Sequence, residues 1–561
     1  MRRAFEALPV VLLLACALAT AACDKPPEEP APSPTPEPTA SPFFEGLGSH
    51  GRPVTGASPE AQRWFDQGLA FLYGFNHDEA IRSFRRAAEL SPGCAMAYWG
   101  EAYAHGPHIN NTAVPPERAE AAWKALEQAR AAAANASEVE KGLIEALSAR
   151  YAFPQPDDRA PLDAAYAEAM GKLWQAHPTD ADVGALAAEA LMDVHPWDQW
   201  TPEGEAKQGT KEILAAIESV LRLDPRHPLA NHLYIHAVEA SPHPELADAA
   251  AETLRTLMPG IGHMVHMPTH IDVLRGRWDQ AIASNASAIA ADRAYREKSP
   301  EQDFWNLYMA HDHHMLTFSA MMIGRSDLAL TTIRNMVAAI PPDWLKANAF
   351  FADGFVGMPY EVMMRFGKWD QILVEPEPPE HLPVSRALRR YARGVALAAL
   401  GRADEARVAQ QEFATAAAAV PLDAVFGNNS ARAIVAIAEA VLDGEILVRE
   451  GKTDAGIARL REAVSLEDAL RYDEPPGWIQ PVRHALGAVL LQAGHAKEAE
   501  QVYRDDLKRH PDNGWSLFGL ARALRLQKKD AEAAPFEQQF ERVWAGADVQ
   551  LSSSCFCQPG V

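Results

Sequence analysis

The sequence predicts an all-α protein, an α-solenoid of antiparallel helix pairs with irregular repeat lengths. Three observations carry this. Ala-rich amphipathic segments of 12–18 residues recur from Ser58 to Trp544 with no run of alternating β-branched residues between them. Self-similarity at a lag of 34 residues links Leu486 to Leu520 and Ala499 to Ala533. A turn of the form Gly, basic or polar, then Asp, Glu or Ala recurs at Gly276, Gly324, Gly367, Gly401, Gly451 and Gly494. There glycine supplies the left-handed residue that ends the first helix of a pair. The intervals between these turns are uneven, so inserts separate some pairs, and Pro154–Pro161 and Glu375–Pro383 read as the longer loops.

The segment Gly68 to Pro92, GLAFLYGFNHDEAIRSFRRAAELSP, resembles a tetratricopeptide (TPR) repeat: Gly68 and Tyr73 fall in helix A, Ala80 and Phe84 in helix B, and Pro92 closes the unit. The resemblance implies a superhelix with A helices on its concave face and a protein or peptide partner in that groove. We expect N-terminal and central repeats over 58–340, C-terminal repeats over 341–545 and a flexible tail over 546–561.

The 561 residues are 48% apolar and 23% charged, which excludes a wholly disordered chain. Lys plus Arg is 52 and Asp plus Glu is 75, so the net charge of −23 argues against a nucleic-acid partner. Arg2 and Arg3, the apolar run Leu8 to Ala19, and Ala21-Ala22 before Cys23 form a signal peptide over 1–22. Thr20-Ala21-Ala22-Cys23 resembles a bacterial lipobox, which makes Cys23 the expected lipidation site and the cell envelope, facing the periplasm or the outside, the expected location. Eight prolines in residues 24–42 favour extended backbone, so 23–42 reads as a tether. Cys94 is expected to be buried. The C-x-C of Cys555 and Cys557 is read as part of a frayed terminus, with a soft-metal site or a small-ring disulfide as alternatives.

Nine of the 20 histidines lie between residues 232 and 314, eight of them in the blocks HLYIHAVE, HMVHMPTH and HDHH and the ninth at His243. Counting back from Pro242, Gly276 and Gly324, the position ten before is His232, His266, His314. The position six before is His236, His270, Phe318, and the position thirteen before is Leu229, His263, His311. Residues at i and i+4, or i and i+3, share a helix face. His232 with His236, His266 with His270, and His311 with His314 therefore form stripes on three adjacent A helices. These six are the candidate ligands for a transition ion, with Zn, Cu and Fe unresolved. Glu239 is the candidate general base or carboxylate ligand, and His263, Asp272, Asp312 and His313 are candidates to support the ligands. His105, His108, His195 and Trp197 are candidates to line a groove upstream. A polar network for an organic anion, with some imidazoles protonated, is the competing reading, and inheritance of a repeat motif without ligand is the third.

Residues Tyr234 to Met336 resemble exported bacterial TPR proteins in which a His-x-x-x-His-Ala-Val-Glu helix precedes His-Met-Pro-x-His and a His-containing repeat. The resemblance implies fold and site but no reaction. The H-E-x-x-H, G-x-S-x-G, Walker A and dinucleotide signatures are absent, so those enzyme classes lose their support. Whether the chain is an enzyme, a scaffold or a metal store is left open by the sequence.

Overall fold

A computed structural model describes residues 42–558. The signal peptide, Cys23 and the tether through Ser41 lie outside the described residues. Among the described residues there are 26 α-helices, and the only strand pair is Val425–Phe426 with Asn429–Ser430. Consecutive helices form hairpins, such as Pro59–Tyr73 with His77–Leu90, and Val482–Gln492 with Ala496–Arg509. All six turn glycines named above adopt positive φ, between 62° and 80°, where any side chain is strained.

The hairpins interlock through a repeated device. Phe84 is wholly buried, and a Cβ at Gly68 or Gly100 would stand 2.7 or 2.6 Å from its ring. Tyr503 sits in the same way between Gly487 and Gly519. In both cases glycine, aromatic and glycine follow at steps of sixteen residues. The glycines let three helices close on one ring, so helix A, helix B and the next helix A pack as a unit. Phe84→Ala leaves a cavity that the flanking backbone cannot fill. We expect a loss of about 3–5 kcal/mol, read as a lowered denaturant midpoint at unchanged slope.

The array winds back on itself on both sides of the histidine block. Segment 42–57 is held by Phe43 stacked on Trp64 and by Arg52 paired to Asp180 and Asp182. The Gly260 N–H donates to the Gly46 carbonyl at 2.8 Å. Glu79 and Arg82 of the first hairpin meet Tyr295 and Ser299. From the other side, Trp278 donates to the Pro511 carbonyl and Trp515 to the Met321 carbonyl. The central helices are thus clamped between the two ends of the chain. One apolar core runs from Val54 to Met309 and the other from Val273 to Cys557, so they meet within the central helices and not near residue 340.

The tail corrects an expectation. Residues 547–558 are packed and not frayed. Asp548 accepts from the Ser326 and Asp327 N–H groups, Ser554 donates to the His484 carbonyl, and the Phe556 ring meets Trp515 edge-on. Cys555 and Cys557 are disulfide-bonded, and Cys94 is free and buried. The tail is polar in sequence, but its Asp and Ser groups find backbone partners at Ser326, Asp327 and His484. That is why its composition misled.

Candidate metal centre

Three successive A helices bring the histidines together. The first is Pro228–Val238, started by His227, whose Nδ1 accepts from the Ala230 N–H. The second is recorded as Gly262–His266 and Pro268–Leu274, because Pro268 withholds an N–H at the junction. His266 and His270 still project to one side. The third is Trp305–Met322. The imidazoles of the first two helices are buried, with His232 and His266 fully so.

Two trios result, His232/His236/His263 and His266/His270/His311. Within each, one ligand atom from every residue lies within 4.8 Å of the others. Glu239 caps the first helix and joins the trios: its Oε1 accepts from His236 Nδ1 at 2.8 Å and its Oε2 from His270 Nδ1 at 2.5 Å. His232 Nδ1 donates to the Tyr73 carbonyl at 2.8 Å. His266 Nδ1 lies 2.6 Å from Asn285 Oδ1 and 3.2 Å from Asp312 Oδ1. The Asn285 amide donates to the Ala281 carbonyl, so its oxygen is the atom that faces His266.

These acceptors fix the tautomers. A carbonyl, an amide oxygen and a carboxylate each require N–H at Nδ1, which leaves a lone pair on Nε2 of His232, His236, His266 and His270. His266 Nε2 and His270 Nε2 face each other at 2.8 Å. His236 Nε2 is buried without a partner. His232 Nε2 is 3.1 Å from His263 Nε2. Burial, reinforced by neighbouring imidazoles, holds His232, His263, His266 and His311 well below the usual imidazole range. Burial works to raise Glu239, but His270 and His236 outweigh it and hold the carboxylate at about 2.

The other candidates divide. His263, expected as support, belongs to the first trio. His314, expected as a ligand, does not join. Its ring points to Phe355 and Phe426, and its Nε2 is buried without a partner. His314 stands about 60° round the helix from His311 and about 4.5 Å further along it, which is enough to carry its ring past the cluster to Phe355 and Phe426. Asp312 Oδ1 lies 3.2 Å from His266 Nδ1 without a hydrogen bond to it, whereas Asp272 is engaged by Arg255 and Arg277. His313 donates to the Met309 carbonyl. Trp197 lies against the His236 ring at 5.2 Å, and His108 reaches the cluster only through Phe75, on which it stacks. His105 is engaged with Arg85 and Glu101, and His195 ends its own helix.

Several residues were not foreseen. Phe75, at φ 60°, lays its ring 4.4 Å from that of His232. With Tyr73, whose carbonyl accepts from His232 Nδ1, it covers one side of the cluster. Tyr308 packs on His263 at 4.3 Å. Asn285 is the one with a signal, a poor helix former inside the Ala-rich segment WDQAIASNASAIA. The C-terminal repeats also contribute: a cavity of about 350 Å³ runs from Glu239 to Tyr472, Asp473, Glu474 and Trp478. Burial pushes Asp473 up to about 7 and Glu474 well above the carboxylate range, and Glu239 adds to both shifts.

A solenoid of helix hairpins with a 34-residue lag, left-handed glycine turns and interlocked glycine–aromatic packing is a TPR-like helical repeat protein. No protein family and no curated protein sequence matches the chain. Among solved structures it is similar to the human IFIT1 dimer with PPP-AAAA, at 12% identity over 85% of this chain and 89% of that one, TM-score 0.32. It is also similar to the APC/C hetero-tetramer Cut9–Hcn1, at 12% identity over 86% and 76%, TM-score 0.31.

Proposed function

We propose that this chain is an exported, lipid-tethered protein that binds a transition ion through histidines of successive TPR-like repeats. The observation that carries the reading is the pair of Nε2 lone pairs of His266 and His270, aimed at each other at 2.8 Å in a buried site. Two lone pairs at that distance repel unless a cation sits between them. Burial holds His266 well below the usual imidazole range, so a proton there answers poorly. A soft or borderline metal ion answers fully, because neutral imidazole is its ligand. The same burial counts against the organic-anion reading, which needs charged imidazoles. Nδ1 of His266 and of His270 is held by an acceptor, the arrangement that orients metal-bound histidine and raises its basicity. When bound, the ion supplies Lewis acidity or redox chemistry, and the cavity against Glu239 is the way in for a small ligand. Export and tethering rest on Arg2 to Cys23 and the proline-rich segment that follows.

The test is fractionation with elemental analysis. The reading expects full-length protein in washed membranes, metal in the detergent-released material, and transfer of Cys23→Ser to the soluble fraction. Metal-free protein from replete medium that takes up none on addition would contradict it.

The pH dependence has a definite sign. Burial holds His232, His236 and His263 of the first trio below the usual imidazole range, so protons compete weakly for their Nε2 atoms between pH 7.5 and 5.5. We expect zinc affinity at that trio to change less than about threefold over that range. Three solvent-exposed histidines would lose roughly a thousandfold one unit below their pKa. Competition titrations at the two pH values check this.

A further inference from the structure

We infer that the histidine block holds two metal ions, one in each trio, generated by duplication of a single repeat-encoded site. The inference rests on the metal-binding reading above and goes beyond it in number and assignment.

The argument is one of register. In the first trio, His232 and His236 are an i, i+4 pair from one A helix, and His263 comes from the start of the next. In the second trio, His266 and His270 are the equivalent pair from that next helix, and His311 comes from the second turn of the third. His232 and His266 are 34 residues apart, as are His236 and His270. His263 and His311 each stand three residues before the position equivalent to His232. The rule is therefore the same twice: a pair from helix n plus the leading histidine of helix n+1.

The same rule explains where the series ends. A third copy would begin with His314 and its partner four residues on, but that residue is Phe318, which is buried in the second core. A copy before the first would take its leading histidine from the first helix, where that position is Leu229. His314 is thus the remnant of an incomplete third site, which is why it stands apart against Phe355.

The support around the two trios matches as well. Each has two imidazoles whose Nδ1 is tied to an acceptor, Tyr73 and Glu239 in the first, Asn285 and Glu239 in the second. Glu239 gives one oxygen to each trio, so it positions both. Three imidazoles leave an open coordination position on a tetrahedral ion, which suits binding of water or a small anion.

The experiment is stoichiometry after loading with Co(II) and desalting, with helicity and the thermal midpoint recorded for each variant. We expect two ions in the wild type, one in His263→Ala, one in His311→Ala, none in the double variant, and two in His314→Ala. One ion in the wild type, lost in both single variants, would overturn the two-site assignment while leaving the metal reading intact. No ion in the folded wild type would overturn both. A His314→Ala variant that folds normally and loses an ion would also overturn the assignment.

Discussion

Glu239→Ala weakens metal binding at both trios together, although Glu239 lies on only one of the three helices. The carboxylate holds Nδ1 of His236 and of His270, and its removal leaves two buried N–H donors without acceptors. Each such loss costs about 1–3 kcal/mol, and loss of a partner behind a metal-bound imidazole costs roughly 10–100-fold in affinity. Glu239→Gln separates positioning from charge. One amide oxygen still accepts from one imidazole, while the amide N–H₂ faces the other, so one trio retains its orientation and the other does not. In Co(II)-loaded protein this predicts a visible spectrum in which about half the wild-type absorbance survives for Glu239→Gln and little for Glu239→Ala. A purely structural role would instead lower the thermal midpoint of both variants with the spectra unchanged.

Removal of metal destabilises the wild type much more than it destabilises His266→Ala. In the metal-free wild type the Nε2 lone pairs of His266 and His270 oppose each other, and the ion relieves that opposition and adds its binding energy. With free ion at about a thousand times the dissociation constant, binding stabilises by about 4 kcal/mol. In His266→Ala the opposition is gone and so is a ligand, so chelation has less to remove. We expect a large drop in the thermal midpoint of the wild type on chelation, and a clearly smaller one in the variant. Equal drops would mean that the ion does not sit between these rings.

Much of the fold was legible, because in this architecture local pattern and global packing coincide. The turn glycines at Gly276 to Gly494 could be read from sequence because positive φ demands glycine, and the Phe84 wedge because small residues must flank a ring between helices. The histidine columns could be read because a 34-residue repeat carries a side chain to the equivalent place on the next helix. What register could not supply was the winding of the array. The cover formed by Tyr73 and Phe75, and the cavity wall from Tyr472 to Glu474, come from segments far away in sequence, and superhelical closure alone brings them to Glu239. His314 was misplaced for a related reason. It occupies the same column as His232 and His266, but its partner position is Phe318, and the third helix uses its leading histidine, His311, instead. Asp272 stands one turn from the cluster in sequence terms, yet the arginines of the neighbouring hairpins claim it.

The central claim is that imidazoles from three successive hairpins ligate transition-metal ions. X-ray absorption at the metal edge of zinc-loaded protein tests it most directly. The account predicts a first shell dominated by nitrogen at about 2.0–2.1 Å, with the outer-shell scattering of several imidazoles, reduced in His266→Ala. A sulfur shell at about 2.3 Å, or an oxygen-only shell without imidazole scattering, would contradict it.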